Sequence, residues 1–465
     1  MNKTNPYPLP EEFANRIKLQ FGDQSSAFFD ALEQDPATSI RINPKKFQLE
    51  GKNYETVPWC ETGIFLKERP VFTLDPLLHA GAYYVQESSS MFLEQAFNAI
   101  NITGNKLVLD LCGAPGGKST HLLSLLSDND LLVSNEVIQS RAKILQENIR
   151  KWGAHNVVVS NNDPKDFQKL NGFFDLIVVD APCSGEGLFK RDAQARNEWS
   201  TENAHLCSVR QRRILADIWP SLKSEGYLIY STCTFNPEEN EENLKWLQEQ
   251  KNFESIRIPL KAGWNIEEIE NKGVIGYRFL PHRVKGEGFF MSILRKTDEA
   301  PAFRFPKKPR NENLKVPSGF SYLQDWIKPG SFDFQLIRET VVAIPSHWKN
   351  ELSALKDFLK IIDFGMPVAE IKGKNATPSH PLAVSRILNQ NKFEITDLNF
   401  VDALKYLKKE EIKPESGNTG WQIVSFRQIP LGFIKHLGNR TNNYFPKEWR
   451  IRMQIDQTAK RWYED

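Results

Sequence analysis

The sequence predicts an α/β protein built on a doubly wound parallel sheet. Three observations lead there. Short apolar runs at 106–111, 131–136, 157–160, 174–180 and 227–232 alternate with segments of helical spacing. A glycine-rich turn, Gly113-Ala-Pro-Gly-Gly117, follows the first run directly. Beyond residue 299 this alternation stops.

The elements follow in chain order. Residues 11–19 carry Phe13, Ile17 and Leu19, and residues 25–32 carry Phe28, Phe29 and Leu32, the spacing of two short amphipathic helices. Residues 39–44 alternate like a strand and stop at Pro44. Gln86-Glu-Ser-Ser-Ser90 offers a cap for a helix beginning near Met91. In the regular region, residues 119–126 and 137–152 are the first two helices after the glycine turn. A late strand at 288–294 is expected to pair antiparallel with 276–280. Residues 299–318 are rich in Pro, Lys and Arg and form a linker by composition. Residues 319–375 are mixed, and 376–456 hold several short strands with one helix near 397–407.

Composition bounds the function. A length of 465 residues, at about 150 per domain, suggests about three domains. With 40% hydrophobic and 25% charged residues, the chain is neither collagenous nor wholly disordered. Sixty basic against 58 acidic residues leave a charge of +2, so any nucleic-acid contact must come from local patches. Five cysteines without a C-x-x-C pair make neither a disulfide framework nor a zinc site, and Cys60 and Cys207 read as small buried residues. Residues 1–10 lack the apolar core of a signal peptide, and no apolar run approaches the ~18 residues of a membrane span. A reduced, cytoplasmic, soluble protein is expected, and nothing suggests more than a monomer.

The chemistry concentrates in Asp110-Leu-Cys-Gly-Ala-Pro-Gly-Gly-Lys118. A phosphate loop needs glycine where Cys112 stands, and a dinucleotide fingerprint needs it where Pro115 stands. S-adenosylmethionine fits better: it is a cation with no phosphate, and it calls for carboxylates at successive strand ends. Glu136 ends the second strand, Asp163 follows the third, and Asp180 ends the fourth. Lys118 is placed to pair with the methionyl carboxylate.

Two cysteines then follow strand ends at one edge, Cys183 in Asp180-Ala-Pro-Cys-Ser-Gly185 and Cys233 in Ser231-Thr-Cys-Thr234. Ligands bind outside the carboxyl ends of strands in open α/β sheets, so both face one cavity. Carbon 5 of a pyrimidine is too weak a nucleophile to attack a sulfonium methyl. A thiolate added to carbon 6 makes carbon 5 the nucleophilic end of an enamine. An acid at ring nitrogen 3 would stabilise the developing charge, which suits Asp180. Spacing alone does not decide which cysteine attacks.

These segments resemble the Nol/Nop/Sun-type RNA cytosine-5 methyltransferases, over at least residues 1–295. The resemblance implies that Cys233 is the nucleophile and Cys183 the release cysteine. It also implies a cofactor stretch of Cys112, Gly113, Ala114, Pro115, Gly116, Gly117 and Lys118, completed by Glu136, Asp163 and Asp180. Residues 79–88 resemble the family's lead-in and 278–290 its last motif. Gly113 departs from the pattern, since many relatives carry Ala there; no loss of binding is expected from it.

Residues 432–452 are aromatic and basic together, with Lys435, Arg440, Tyr444, Lys447, Arg450 and Arg452 as candidate RNA contacts against one acid, Glu448. With residues 377–385, this region resembles the PUA-like RNA-binding domain of the RsmF/YebU branch, which acts on 16S ribosomal RNA. Linker residues Arg304, Lys307, Lys308, Arg310 and Lys315 extend the same basic track.

The expectation is therefore a Rossmann-like class I methyltransferase domain at 101–298, preceded by an α+β RNA-contacting domain at 1–100. A linker at 299–318, a small mixed α/β domain at 319–375 and a PUA-like β-barrel at 376–465 follow. The expected cofactor is S-adenosylmethionine, the partner is 16S rRNA or the small ribosomal subunit, and neither metal nor membrane is involved. Transfer RNA as substrate, or an idle RNA-binding assembly factor, are the alternatives. Alanine at Cys233 separates the last one, since an assembly factor would keep its function.

Overall fold

The computed structural model describes residues 7–49, 54–305, 314–413, 417–456 and 458–464. Lys307, Lys308 and Arg310 of the expected basic linker lie outside the described residues.

The chain opens with helices Glu11–Phe21 and Ser25–Leu32. Glu11 and Glu12 in the first turn complement the helix dipole. Their apolar face (Phe13, Ile17, Phe28, Leu32) packs on Phe189, Trp199, Phe235 and Leu280, far along the chain. A four-stranded sheet follows, in the order Glu55–Thr56, Gly63–Leu66, Thr38–Ile42, Tyr83–Val85. Within the segment expected to cap, Gln86–Ser90, the capping side chain is Glu87. Its carboxylate accepts from Ser89 N at 2.9 Å and Ser90 N at 3.0 Å, because a carboxylate reaches two orphan donors where a hydroxyl reaches one.

The large sheet runs Glu267–Asn271, Val274–Phe279, Phe289–Lys296, Leu222–Thr232, Phe174–Asp180, Leu107–Asp110, Leu131–Asn135, Val157–Ser160, Ile361–Phe364. The five strands predicted as buried runs pair in parallel, and Phe289–Lys296 pairs antiparallel with both Leu222–Thr232 and Val274–Phe279. Val, Leu and Ile on both faces of the central strands fill two core layers, because helices cover the sheet on either side. The parallel strands end at Asp110, Asn135, Ser160, Asp180 and Thr232, all at one edge.

Neither outermost strand of this sheet, Glu267–Asn271 nor Ile361–Phe364, was predicted. Ile361–Phe364 pairs antiparallel with Val157–Ser160, and Asp363 is ion-paired with Arg150 of helix Gln139–Trp152. Beyond it, a five-stranded sheet and a four-stranded sheet share a core through Val341, Val368, Ile423 and Phe433. The last sheet pairs Glu394–Asp397 in parallel with Gly420–Phe426, which pairs antiparallel with Ile429–His436. Helix Phe400–Leu407 lies across it, capped by Asn399.

The last described segment returns to the first sheet. Trp462 Nε1 and Tyr463 Oη donate to Asp75 at 3.1 and 3.3 Å, as Tyr83 Oη does at 2.6 Å. Burial pushes Asp75 up to about 6 despite these donors. Among the described residues, no helix is long and apolar enough to cross a membrane.

Candidate active site

The glycine turn leads from Leu107–Asp110 into helix Gly117–Leu125, capped by Gly116. Gly113 N donates to Asn135 O at 2.7 Å, tying the turn to the neighbouring strand. A Cβ on Gly113 would stand 2.5 Å from Ser134 Oγ and 2.9 Å from Ser119 Oγ. Those hydroxyls are 2.7 Å apart, and Ser119 donates to Asp110 Oδ2 at 2.6 Å. The departure from Ala at this position is therefore matched by a serine pair that occupies the methyl's space.

Asp110 is fully buried, and its Oδ1 has no hydrogen-bond partner. Burial pushes its carboxyl up to about 7, with Asp180 and Glu136 adding to the shift against the Ser119 hydrogen bond and Lys118. An unpaired carboxylate oxygen among three acids fits a cationic ligand over the turn. Glu136 is 3% exposed, accepts from Ile138 N at 2.9 Å and lies 3.6 Å from Arg141. Asp163 caps the turn Pro164–Lys169 and meets Arg213 at 3.3 Å, so it already has a structural partner on each side. Cys112 lines the turn, and burial raises its thiol well above the ordinary range, followed by the three nearby carboxylates. It is thus a neutral thiol.

Lys118 does not stand free for an incoming carboxylate. Its Nζ lies 2.8 Å from Asp180 Oδ2 and 5.0 Å from the centroid of the Phe289 ring. Ser231 donates to the other oxygen of Asp180 at 2.8 Å, so the carboxylate is gripped from two elements.

The two cysteines expected to face one cavity lie side by side. Cys183 Sγ and Cys233 Sγ are 3.1 Å apart as free thiols, and Cys233 N donates to Cys183 Sγ at 3.3 Å. The hydrogen bond to Cys233 and then burial raise the Cys183 thiol well above its ordinary value. Cys183 is thus a neutral thiol in contact with the Cys233 sulfur, and either sulfur can donate in that contact. Cys60 and Cys207 are buried, as read from the sequence.

Behind this pair lies a polar shell the sequence did not reveal. Glu239, fully buried, accepts from the backbone and hydroxyl of Ser184 and from Gln211. Gln211 also donates to Pro182 O at 3.0 Å, and Tyr230 Oη donates to Glu239 O at 2.6 Å. Glu239 sits in Pro237-Glu-Glu-Asn-Glu-Glu242, which reads as a solvated charge run. Glu186 is also fully buried; it pairs with Arg16 at 2.6 Å and accepts from Trp199 and from Phe235 N. The N-terminal helices thus brace the loop that carries Cys233. Gly288 allows the closest approach there: a Cβ on it would lie 2.2 Å from the Phe235 ring and 2.8 Å from Gly187 Cα.

Among the described residues, one further grouping has metal-ligand types: Cys60, Glu94 and His121, all buried. Hydrogen bonding accounts for it. Cys60 Sγ donates to Glu94 Oε2 at 3.2 Å, and burial pushes the thiol up to about 12, so no thiolate is offered. His121 Nε2 is 3.2 Å from the same oxygen, and its Nδ1 lacks the acceptor that a metal-bound imidazole would need.

The predicted RNA contacts spread over the last sheet and the loop after it. Arg440, Lys447, Arg450 and Arg452 are exposed. Lys435 Nζ lies 5.2 Å from the Trp421 ring, and Tyr444 packs edge-on to the same ring at 4.5 Å.

Residues 9–88 match the model for the N-terminal domain of 16S rRNA methyltransferase RsmF, and residues 98–295 that for 16S rRNA methyltransferase RsmB/F. Residues 392–451 match the methyltransferase RsmF PUA domain. The chain belongs to the RsmB/F methyltransferase family. Its relatives within that family include ribosomal RNA small subunit methyltransferase F of Escherichia coli O157:H7, 29% identical over 95% of this chain and 96% of the relative. The Vibrio atlanticus protein of the same name is 29% identical over 95% and 97%. A methyltransferase homologue from Pyrococcus horikoshii superposes with a TM-score of 0.53 at 27% identity, over 63% of this chain and 96% of that one. As an RsmB/F-family methyltransferase, the protein has S-adenosylmethionine as its cofactor, and the site described around Asp110 and Glu136 suits that cation.

Proposed function

We propose that the protein methylates carbon 5 of a cytosine in 16S ribosomal RNA through a covalent bond from Cys233 to carbon 6. The observation that carries this reading is the 3.1 Å approach of Cys183 and Cys233, at the sheet edge where Lys118 grips Asp180. The RsmF relatives support ribosomal RNA as the substrate.

Cys233 first gives its proton to solvent, and the protonated Cys183 thiol stabilises the thiolate left behind. Attack of that sulfur on carbon 6 forms the S–C bond, and nitrogen 3 takes a proton from the Lys118–Asp180 pair. S-adenosylmethionine, when bound, would supply the electrophilic methyl group, its sulfur keeping the S–CH3 electron pair as a neutral thioether. Carbon 5, now the nucleophilic end of an enamine, takes that methyl. Cys183 then passes its proton to the departing Cys233 sulfur and, as a thiolate, accepts the proton from carbon 5. The S–C bond breaks, the ring regains its double bond, and nitrogen 3 returns its proton to the pair. The cytosine must leave its stack to reach Cys233, at a cost of a few kcal/mol. Glu136 and Asp163 serve as ribose and adenine partners, and Cys112–Lys118 as the loop over which the donor lies. The outer segments, 1–100 and 376–465, hold RNA, the latter through Lys435, Arg440, Tyr444, Lys447, Arg450 and Arg452.

The test uses RNA tritiated at cytosine carbon 5, supplied as unmodified small-subunit particles, naked 16S RNA and transfer RNA. Donor-dependent release of tritium from ribosomal RNA alone is the expected result. Release from transfer RNA alone would replace the substrate, and no release from any of them would overturn the thiol chemistry.

A further inference from the structure

The described residues hold a second charged cavity, far from the cysteines. It measures about 150 Å³ and is lined by Lys45, Lys46, Lys328 and Arg386, together with Ser385 and Gln428. No acidic residue lines it. The cations come from segments about 280 and 340 positions apart, so only the packing of the first sheet against the C-terminal sheets assembles it.

The cation wall is built and not incidental. Lys45 Nζ donates to Leu126 O at 2.9 Å, Lys46 Nζ to Ala80 O at 2.8 Å and Lys151 O at 2.6 Å, and Lys328 Nζ to Arg386 O at 2.9 Å. These carbonyls orient the ammonium groups without neutralising them. The nearest acid is Asp128, 66% exposed, at 3.8 Å from Lys45 and 3.5 Å from Arg386. Asp128, screened by solvent, and Asp130, acting on Lys45, are the carboxylates set against four basic side chains. The Arg386 side chain is only 10% exposed, yet its Nε has no hydrogen-bond partner, and neither has the buried Ser385 Oγ. Burial lowers the basicity of Lys46 well below the ordinary range and that of Lys45 and Arg386 less far, and Arg386 adds its repulsion to both lysines. Such a wall, with unused donors, is an anion site.

Size selects the anion. About 150 Å³ is below the roughly 300 Å³ at which pockets for drug-sized ligands begin, so a nucleotide does not fit and a single tetrahedral oxyanion does. A wider cavity of about 670 Å³ shares Lys46, Gln428 and Ile429 with it and brings in Arg427, leaving room for what is attached. We propose that the small cavity binds one phosphate group, either free or as a phosphodiester of the RNA substrate. The phosphodiester source rests on the RNA reading above; the free source does not.

The position gives the site its use. Leu126 and Asp128 precede Leu131–Asn135, and Asn156, an Arg386 partner at 3.3 Å, precedes Val157–Ser160. The cavity therefore sits at the edge of the large sheet opposite Asp180 and Cys233. It also lies at the Arg427–Gln428 turn, the far end of Ile429–His436 from the predicted contact Arg440. A phosphate held here anchors RNA at a distance from the reacting base.

Two measurements on the full chain decide the matter. Thermal unfolding is followed in inorganic phosphate and in chloride at matched ionic strength. A higher Tm in phosphate, abolished in the Lys45→Ala/Lys328→Ala double variant, is expected; no difference between the salts in the unmutated protein overturns the proposal. Binding of unmodified 16S RNA is then titrated against salt. For a phosphodiester anchor the double variant binds more weakly, and its slope of log K on log salt falls by about 0.7–0.9 for each phosphate no longer neutralised. An unchanged affinity and slope, with the phosphate response abolished, assigns the site to free phosphate. Retained S-adenosylmethionine binding by the variant reports that its fold is intact.

Discussion

At the scale of single residues, the proposed reaction divides two roles between the chemically identical groups of the 3.1 Å cysteine pair. Because Cys183 holds its proton, its replacement by Ala should leave addition intact and block elimination. A covalent protein–RNA species that survives denaturing gels is the expected outcome for Cys183→Ala, and Cys233→Ala should give none. Glu287 supplies a second prediction. It is 7% exposed, and burial, then Glu87, push it up to about 7 from an ordinary value of 4.5. A raised carboxyl stabilises the fold below its unfolded pKa, and that contribution is lost as pH rises through the folded one. Glu287→Gln should therefore match the parent below about pH 4.5 and exceed it above pH 7, by on the order of 1–3 kcal/mol, in pH-resolved thermal melts. The strand-end acids and both cysteines were legible in the sequence because chemistry fixes their residue types and the sheet fixes their edge. The Lys118–Asp180 pairing was not, since a lysine in the first turn of a helix can reach several groups and only packing selects one.

At the scale of elements, the loop that carries Cys233 is held by close backbone contact. Gly187 N donates to Cys233 O at 2.9 Å, and Gly187 in turn packs on Gly288. A methyl at residue 288 must displace the Phe235 ring or the Gly187 backbone, and Cys233 moves with them. Gly288→Ala should lower kcat by about 10²-fold, the cost of roughly 1 Å of misplacement, with donor affinity retained by calorimetry. The unforeseen edge strand Ile361–Phe364 is tied to helix Gln139–Trp152 by a buried ion pair. Arg150 and Asp363 are 4% and 11% exposed, so Asp363→Ala strands a buried guanidinium. A loss of about 3–5 kcal/mol in denaturant unfolding is expected. The parallel strands were readable because runs buried on both faces are continuously apolar. Ile-Ile-Asp-Phe was not, because four residues with one acid do not say which sheet they join. Glu239 escaped for a related reason: local sequence shows that a residue is charged, while burial is decided by Gln211 and Ser184 elsewhere in the chain.

At the scale of the whole molecule, the first and last sheets share one core, in which Ile40, Leu77, Leu404, Val424 and Trp462 are buried together. Trp462 is 6% exposed and donates to Asp75. Trp462→Ala removes a large core side chain and one of the donors to a buried carboxylate. A loss of about 3–5 kcal/mol is expected, and hydrogen exchange should find it in the Tyr83–Val85 strand as well as near the substitution. The order of the chain's parallel strands was legible from periodicity. The meeting of its two ends was not, because no local pattern encodes a partner nearly 400 positions away.

That meeting sets an order of events during synthesis. The first sheet leaves the ribosome early, yet Asp75 gains two of its donors only when Trp462 and Tyr463 have been made. Until then its carboxyl has two proton donors fewer and part of its apolar surround is open to water. At about 5–20 residues per second, the interval between the two lasts roughly 20–80 s. Over that time the early segment is exposed to proteases and chaperones, and completion of the chain ends the exposure.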